Sequence, residues 1–147
     1  MTFRLISDFP TITRKSFELA VPGILDPLNA NPLLYGEFLE INSSYQAVRG
    51  TGNNASPAFA AFAERGRTDT QAIGRVPLLQ NGGYEAETQI MDSTSLVVNA
   101  PLMVGSVTIG GVAGKRGLVL QTSTNFIIGY VTRPVNAQGW LRFIRFS

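Results

Sequence analysis

The sequence predicts an all-β protein, a single-domain β-sandwich or small β-barrel with an extended N-terminal arm. Three observations carry that reading. Fifteen glycines and eight prolines are spread over 147 residues and punctuate short apolar runs, the pattern of many short strands joined by turns. Apolar periodicity of 3.6 over 11 or more residues is absent, so long amphipathic helices are not expected. Apolar residues make up 44% and aromatics 10% of the chain, which suits a packed core rather than disorder. At this length roughly 68–70% of the unfolded surface is expected to be buried, enough for one domain without staples.

Residues 1–34 differ from the rest. Pro10, Pro22, Pro27 and Pro32 fall within this stretch, and proline lacks the N–H that a sheet ladder needs. Yet Phe9, Ile12, Phe17, Leu19, Val21, Ile24, Leu25, Leu28, Leu33 and Leu34 are apolar, unlike a flexible linker. Such a segment must bury itself, either as a meander on its own domain or as an arm on a neighbouring subunit. The division expected is therefore an arm over 1–34 and a β domain over 35–147.

From Gly36 onward the pattern is strand and turn. Phe38–Asn42 reads as a short strand, Ser43–Ser56 as turn-rich, and Ala58–Ala63 as a buried strand or a short helical segment. Arg75–Leu79 and Tyr84–Ile90 flank Asn81-Gly82-Gly83, a tight-turn signal, and read as a hairpin. Ser95–Asn99, Leu102–Ile109, Gly117–Gln121, Phe126–Thr132 and Trp140–Phe146 are further strand candidates. The last is apolar on both faces and carries Arg142 and Arg145, whose guanidinium groups are expected to reach out past apolar stems. The sum is eight or nine strands.

Composition narrows the function. Charged residues are 15%, against about 25% in a typical domain, which suits a protein that lies against other subunits. Net charge is +2 and the basic residues are scattered, so the basic stripe of a nucleic-acid binder is not found. There is no Cys and no His, which removes disulfides, thiolate ligands and the commonest general base and metal ligand. Neither a signal peptide nor an apolar run of about 20 residues is visible, so no membrane partner is expected.

Among ten carboxylates, Glu85, Glu87 and Asp92 lie closest in sequence. Glu85 and Glu87 share a strand face and with Asp92 could hold a hard cation or act as a glycosidase acid pair. The plainer reading is a solvated face, or one pairing with Arg65, Arg67 or Arg75. Lys115 ends a Gly-rich run, but Arg116 stands where a phosphate-binding loop needs Ser or Thr, so 110–117 reads as a hairpin loop. No Ser lies in a Gly-x-Ser-x-Gly elbow. The expectation is no enzyme, no catalytic residues, no metal and no cofactor.

The stretch from Phe62-Ala63-Glu64-Arg65-Gly66-Arg67-Thr68-Asp69-Thr70-Gln71 through Val76-Pro77-Leu78-Leu79 to Gly82-Gly83-Tyr84-Glu85-Ala86-Glu87-Thr88 is similar to the middle of phage capsid cement (decoration) proteins. Ile128–Val135 and the closing aromatic strand also resemble that family; together these cover about half the chain. The resemblance implies a β-sandwich or tulip-like fold and a homo-oligomer, trimer favoured over dimer. It implies a seat on the outer capsid surface of the virion, with the major capsid protein as partner and no cofactor. Contact residues expected on this reading are Phe9, Phe17, Leu25 and Leu28, with Tyr84 and Trp140 as secondary candidates whose alternative is core packing. Another virion protein, a tail-tube or fibre-base subunit, is the second reading, and a carbohydrate-binding β-sandwich the third.

Overall fold

The structure, a computed structural model, describes residues 2–8, 14–50, 61–63, 74–79, 82–92, 96–122 and 126–145. Among these the chain is all β, as the glycine and proline punctuation predicts. In order it runs β1 (Phe3–Asp8), β2 (Arg14–Glu18), a 3-10 turn (Pro22–Leu25), β3 (Phe38–Ile41), β4 (Ala47–Val48), β5 (Ala61–Ala63) and β6 (Arg75–Leu79). It continues with β7 (Tyr84–Thr88), β8 (Pro101–Ile109), β9 (Val112–Leu120), β10 (Gly129–Arg133) and β11 (Leu141–Arg145). A six-stranded sheet has the order β1-β7-β11-β10-β8-β9, and a five-stranded sheet the order β2-β6-β5-β3-β4.

Both sheets curl until a single parallel bridge brings their ends together. In the larger sheet, the chain leaving β7 returns to β9, where Met91 bridges Leu118. Leu118 N donates to the Ile90 carbonyl at 3.1 Å, and Asp92 N to the Leu118 carbonyl at 3.0 Å. A β-carbon on Gly117 would collide with that Ile90 carbonyl, so this approach requires glycine. In the smaller sheet Leu19 bridges Ala47, and Ala20 N donates to the Ala47 carbonyl at 3.1 Å. Curling in this way covers strand edges that would otherwise template association. β1 remains an edge of the larger sheet, and its register shifts between Leu5 and Ser7, leaving Ile6 in a bulge that twists the edge.

Each curled sheet has its own core. The larger encloses Phe3, Tyr84, Leu102, Val104, Leu118, Val131, Leu141 and Phe143, with Phe38 and Leu79 contributed by the smaller sheet. Its rings meet edge to face, Phe3 with Tyr84 at 6.5 Å and Tyr84 with Phe143 at 6.0 Å between centroids, the geometry that aromatic quadrupoles favour. The smaller sheet encloses Phe17, Leu19, Leu39, Ile41, Ala47, Val76 and Leu78, and Leu25 and Leu33 close it from outside the strands. Alternation along β3 and β6 explains the division. Leu39 and Ile41 face one core and Phe38 the other, as do Val76 and Leu78 against Leu79.

Several expectations are revised by this topology. Among the described residues of 1–34, β1 pairs with β7 and β2 with β6 of the chain's own sheets, and the 3-10 turn plugs the smaller core. Of the two fates for this stretch, the meander on its own domain is the one adopted, because the prolines fall outside β1 and β2 and Pro22 begins the 3-10 turn. The strands flanking Gly82-Gly83 do not form a hairpin. β6 pairs with β2 and β5, β7 with β1 and β11, so the connection crosses from one sheet to the other. Residues 96–100 carry no strand, with a turn at Val98 and Asn99 where Asn99 has φ 68°. The run 110–117 contains a turn of only Gly110 and Gly111, φ 59° and 80°, the primed hairpin geometry that glycine allows, and Lys115 and Arg116 are strand residues of β9. In β11, Leu141, Phe143 and Arg145 share the core face, so Arg145 is 1% exposed rather than reaching out.

Candidate functional site

Charge is concentrated where the two sheets meet. Glu37 enters β3 fully buried, and its carboxylate accepts four hydrogen bonds. Oε1 accepts from Arg49 Nε at 2.9 Å and from the Arg116 backbone N–H at 3.0 Å. Oε2 accepts from Arg49 Nη2 at 2.7 Å and from the Leu34 backbone N–H at 2.6 Å. Arg49 also donates from Nη1 to the Asn31 carbonyl at 2.7 Å and from Nη2 to the Pro32 carbonyl at 3.0 Å. Lys115 donates to that same Pro32 carbonyl, and Asn31 Nδ2 to the Ala113 carbonyl at 3.1 Å. Arg116, 1% exposed, is held below the usual guanidinium range by burial, with the carboxylates of Glu40 and Glu37 pulling the other way.

This seam is a lock. Every acceptor site of the Glu37 carboxylate is filled by a fixed donor, so no lone pair faces solvent for proton transfer. Its donors come from β9, from the residue after β4 and from the loop that follows the 3-10 turn. It therefore ties the proline-rich stretch, the smaller sheet and the larger sheet into one unit. Removing one member would leave a desolvated charge unmatched.

The carboxylates singled out by sequence are dispersed. Glu87 lies on the outer face of β7 between two cations, 2.8 Å from Arg4 Nε and 3.6 Å from an Arg142 Nη. These are its cross-strand neighbours on β1 and β11, which replace the arginines expected from sequence. Arg75 instead lies in the smaller sheet and donates to the Ser16 carbonyl at 2.9 Å, while Arg65 and Arg67 lie outside the described residues. Glu85 accepts from the Thr132 hydroxyl at 3.4 Å. Asp92 sits beside β9 rather than on that face. Among the described residues no group of three His, Cys, Asp or Glu side chains is placed to hold a metal ion.

The expected contact residues also separate. Phe17, Leu25 and Tyr84 are 4%, 2% and 1% exposed and belong to the chain's own cores, so in this fold they are not surface anchors. Burial pushes the Tyr84 phenol up, and nearby Arg145 opposes that shift. Phe9 lies outside the described residues. Trp140 is half-buried, and the Arg4 guanidinium stacks on its ring at 4.2 Å. Among the described members of the set, Leu28 is the one on the surface, 92% exposed, in a loop where Asp26 Oδ1 accepts from its N–H at 2.9 Å.

Other large apolar side chains are exposed to a lesser degree: Ile6, Val21, Tyr45, Val97, Val98 and Tyr130. Leu28, Tyr45, Val97 and Val98 lie in turns. Ala100 N donates to the Val97 carbonyl at 3.0 Å, and Tyr45 N to the Asn42 carbonyl at 3.0 Å. Tyr45 lies in the segment that the sequence marks only as turn-rich, which does not say which side chain the turn presents. Among the described residues no helix is long and apolar enough to cross a membrane. Comparison of the chain with protein-family models, with curated proteins and with solved structures found no match.

Proposed function

We propose that this protein is a non-enzymatic structural subunit of the capsid cement type, one that seats on the outer surface of a phage capsid and reinforces the lattice of the major capsid protein. The observation that carries the reading is the placement of apolar and charged side chains. The charged side chains of Glu37, Arg49 and Lys115 and the backbone N–H of buried Arg116 tie the two sheets together, while Leu28, Tyr45, Val97 and Val98 are turned outward on turns. A surface built this way gains from covering a neighbour, at roughly 25 cal/mol per Å² of apolar area before association costs. Each contact can be modest, because repetition over a closed shell and oligomer avidity raise the effective affinity. The sequence resemblance supports the same class, and a homo-oligomer, trimer favoured, is the expected form.

The test is co-sedimentation of the purified protein with expanded capsids that lack an accessory protein. Saturable binding at a fixed ratio to the coat subunit is the expected result. Assembly of rings or tubes by the protein alone, without binding, would transfer it to the tail-tube reading.

A further inference from the structure

We infer that the turn carrying Tyr45, with the groove beside it, is the docking site for a carboxylate-bearing protein surface; this deepens the proposed function and rests on it. Tyr45 is 77% exposed, and its backbone has φ 59°. A side chain other than Gly, Asn or Asp is disfavoured in that left-handed region. An exposed ring at a strained position, with little packing of its own to compensate, points to a role outside the monomer.

The turn fixes the backbone that carries the ring. Asn42 Oδ1 accepts from the Ser44 and Gln46 N–H groups, each at 2.9 Å, and Asn42 N donates to the Gln46 carbonyl at 2.9 Å. Little ordering entropy is then lost when a partner closes over it. Tyr45 and Ser44 form one wall of an open groove of about 260 Å³, with Lys15, Ser16 and Glu18 of β2 and Arg75 of β6 around it. β2 is the first strand of the smaller sheet and meets β4 only through the bridge from Leu19 to Ala47, so the groove lies along β2 between that closure and β6.

Charge selects the partner. Lys15 and Arg75 give two cations to the one carboxylate of Glu18. Arg75 is braced on the Ser16 carbonyl at 2.9 Å, and the Lys15 ammonium lies 5.4 Å from the Phe17 ring centroid. An acidic side chain entering beside the Tyr45 ring meets positioned cations, a match that governs register and association rate. A coat-protein face offering carboxylates around an apolar hollow fits both features. One exposed aromatic, Tyr45, beside two cations, with Phe17 buried beneath, suits this partner better than the flat neutral ring of a sugar.

The experiment measures binding of the full-length protein to capsids at about 50 and 200 mM salt, ionic strengths across which exposed charges become strongly screened. Tyr45→Asn is expected to keep or raise the melting temperature, since Asn tolerates this backbone, yet to weaken binding at least tenfold. Lys15→Glu is expected to weaken binding and to flatten its salt dependence. A Thr108→Ala control, at an exposed position of β8 in the larger sheet, should stay within threefold of the parent. If Tyr45→Asn and Lys15→Glu bind like the parent while the parent binds capsids, the groove is not the docking site and the cement reading stands. If the parent does not bind, both fall. Displacement from capsids by a neutral maltohexaose, sensitive to Tyr45→Asn, would overturn the inference in favour of a glycan site.

Discussion

The two sheets solve one problem with different materials. Each curls until a single parallel bridge closes it, Met91 to Leu118 in the larger and Leu19 to Ala47 in the smaller. The larger is filled mostly by its own strands, with Phe3, Tyr84 and Phe143 packed edge to face. The smaller has few bulky inward residues and is completed by Leu25 and Leu33, which come from a non-strand segment. A proline-rich, apolar stretch can thus be core material without being regular structure. Its retention is secured by the buried carboxylate of Glu37 and the cations around it, not by ladder hydrogen bonds alone.

The largest effect that would break this comparison is deletion of residues 1–34. It removes β1, β2 and the plug, so the remainder is expected to show no cooperative unfolding by calorimetry. A truncated chain that melts cooperatively would return the stretch to the status of an arm. Next is Glu37→Ala, which leaves Arg49 and its neighbours desolvated without their counter-charge. Denaturant titration should show a loss of about 3–5 kcal/mol, with both sheets affected together. Phe143→Ala and Leu25→Ala then compare the two cores directly, at about 3–5 and 2–5 kcal/mol. A Leu25→Ala cost near zero would mean that the plug is ornamental.

A smaller effect is pH dependent. Burial raises the folded Tyr84 phenol above its ordinary value of 10.0. The unfolded chain therefore gives up this proton first. The stability it contributes is fully present below pH 10 and falls as pH rises above it. Tyr84→Phe should reduce the steepness of that alkaline decline in urea titrations. Smallest is Arg4→Ala, which removes the stack on Trp140 and the contact with Glu87. Arg4 is about half exposed, and a cost of roughly 1 kcal/mol or less is expected in the same assay.

The strands were legible where short-range pattern decides them. Phe38–Ile41, Pro101–Ile109 and Leu141–Arg145 lie close to where alternation and turn residues put them. Pro77 was placed in a strand and is in one. It pairs with Ser16 of β2, and among the described residues the ladder of β5 with β6 involves Leu78 and Leu79. The Asn81-Gly82-Gly83 signal was read as a hairpin because a turn motif reports the bend and not the sheet that the next strand joins. That choice was made by β1 and β11, far away in sequence. Arg145 misled for a similar reason, since its burial depends on Tyr84 across the sheet.

The seam was not legible at all. Glu37 meets Arg49 across 12 residues and the Arg116 backbone across 79, and no local pattern marks either meeting. In sequence, Lys115 and Arg116 stand out only as the end of a Gly-rich run that lacks the Ser or Thr of a phosphate loop. Tyr45 was hidden because composition marks a turn without saying which side chain the turn presents.

The central claim is that this chain acts by binding and reinforcing a shell. The direct measurement is the rupture temperature of capsids lacking an accessory protein, with and without a saturating amount of the purified chain. A rise in rupture temperature that tracks occupancy is the predicted result. An unchanged rupture temperature at full occupancy, or no occupancy at all, would contradict it.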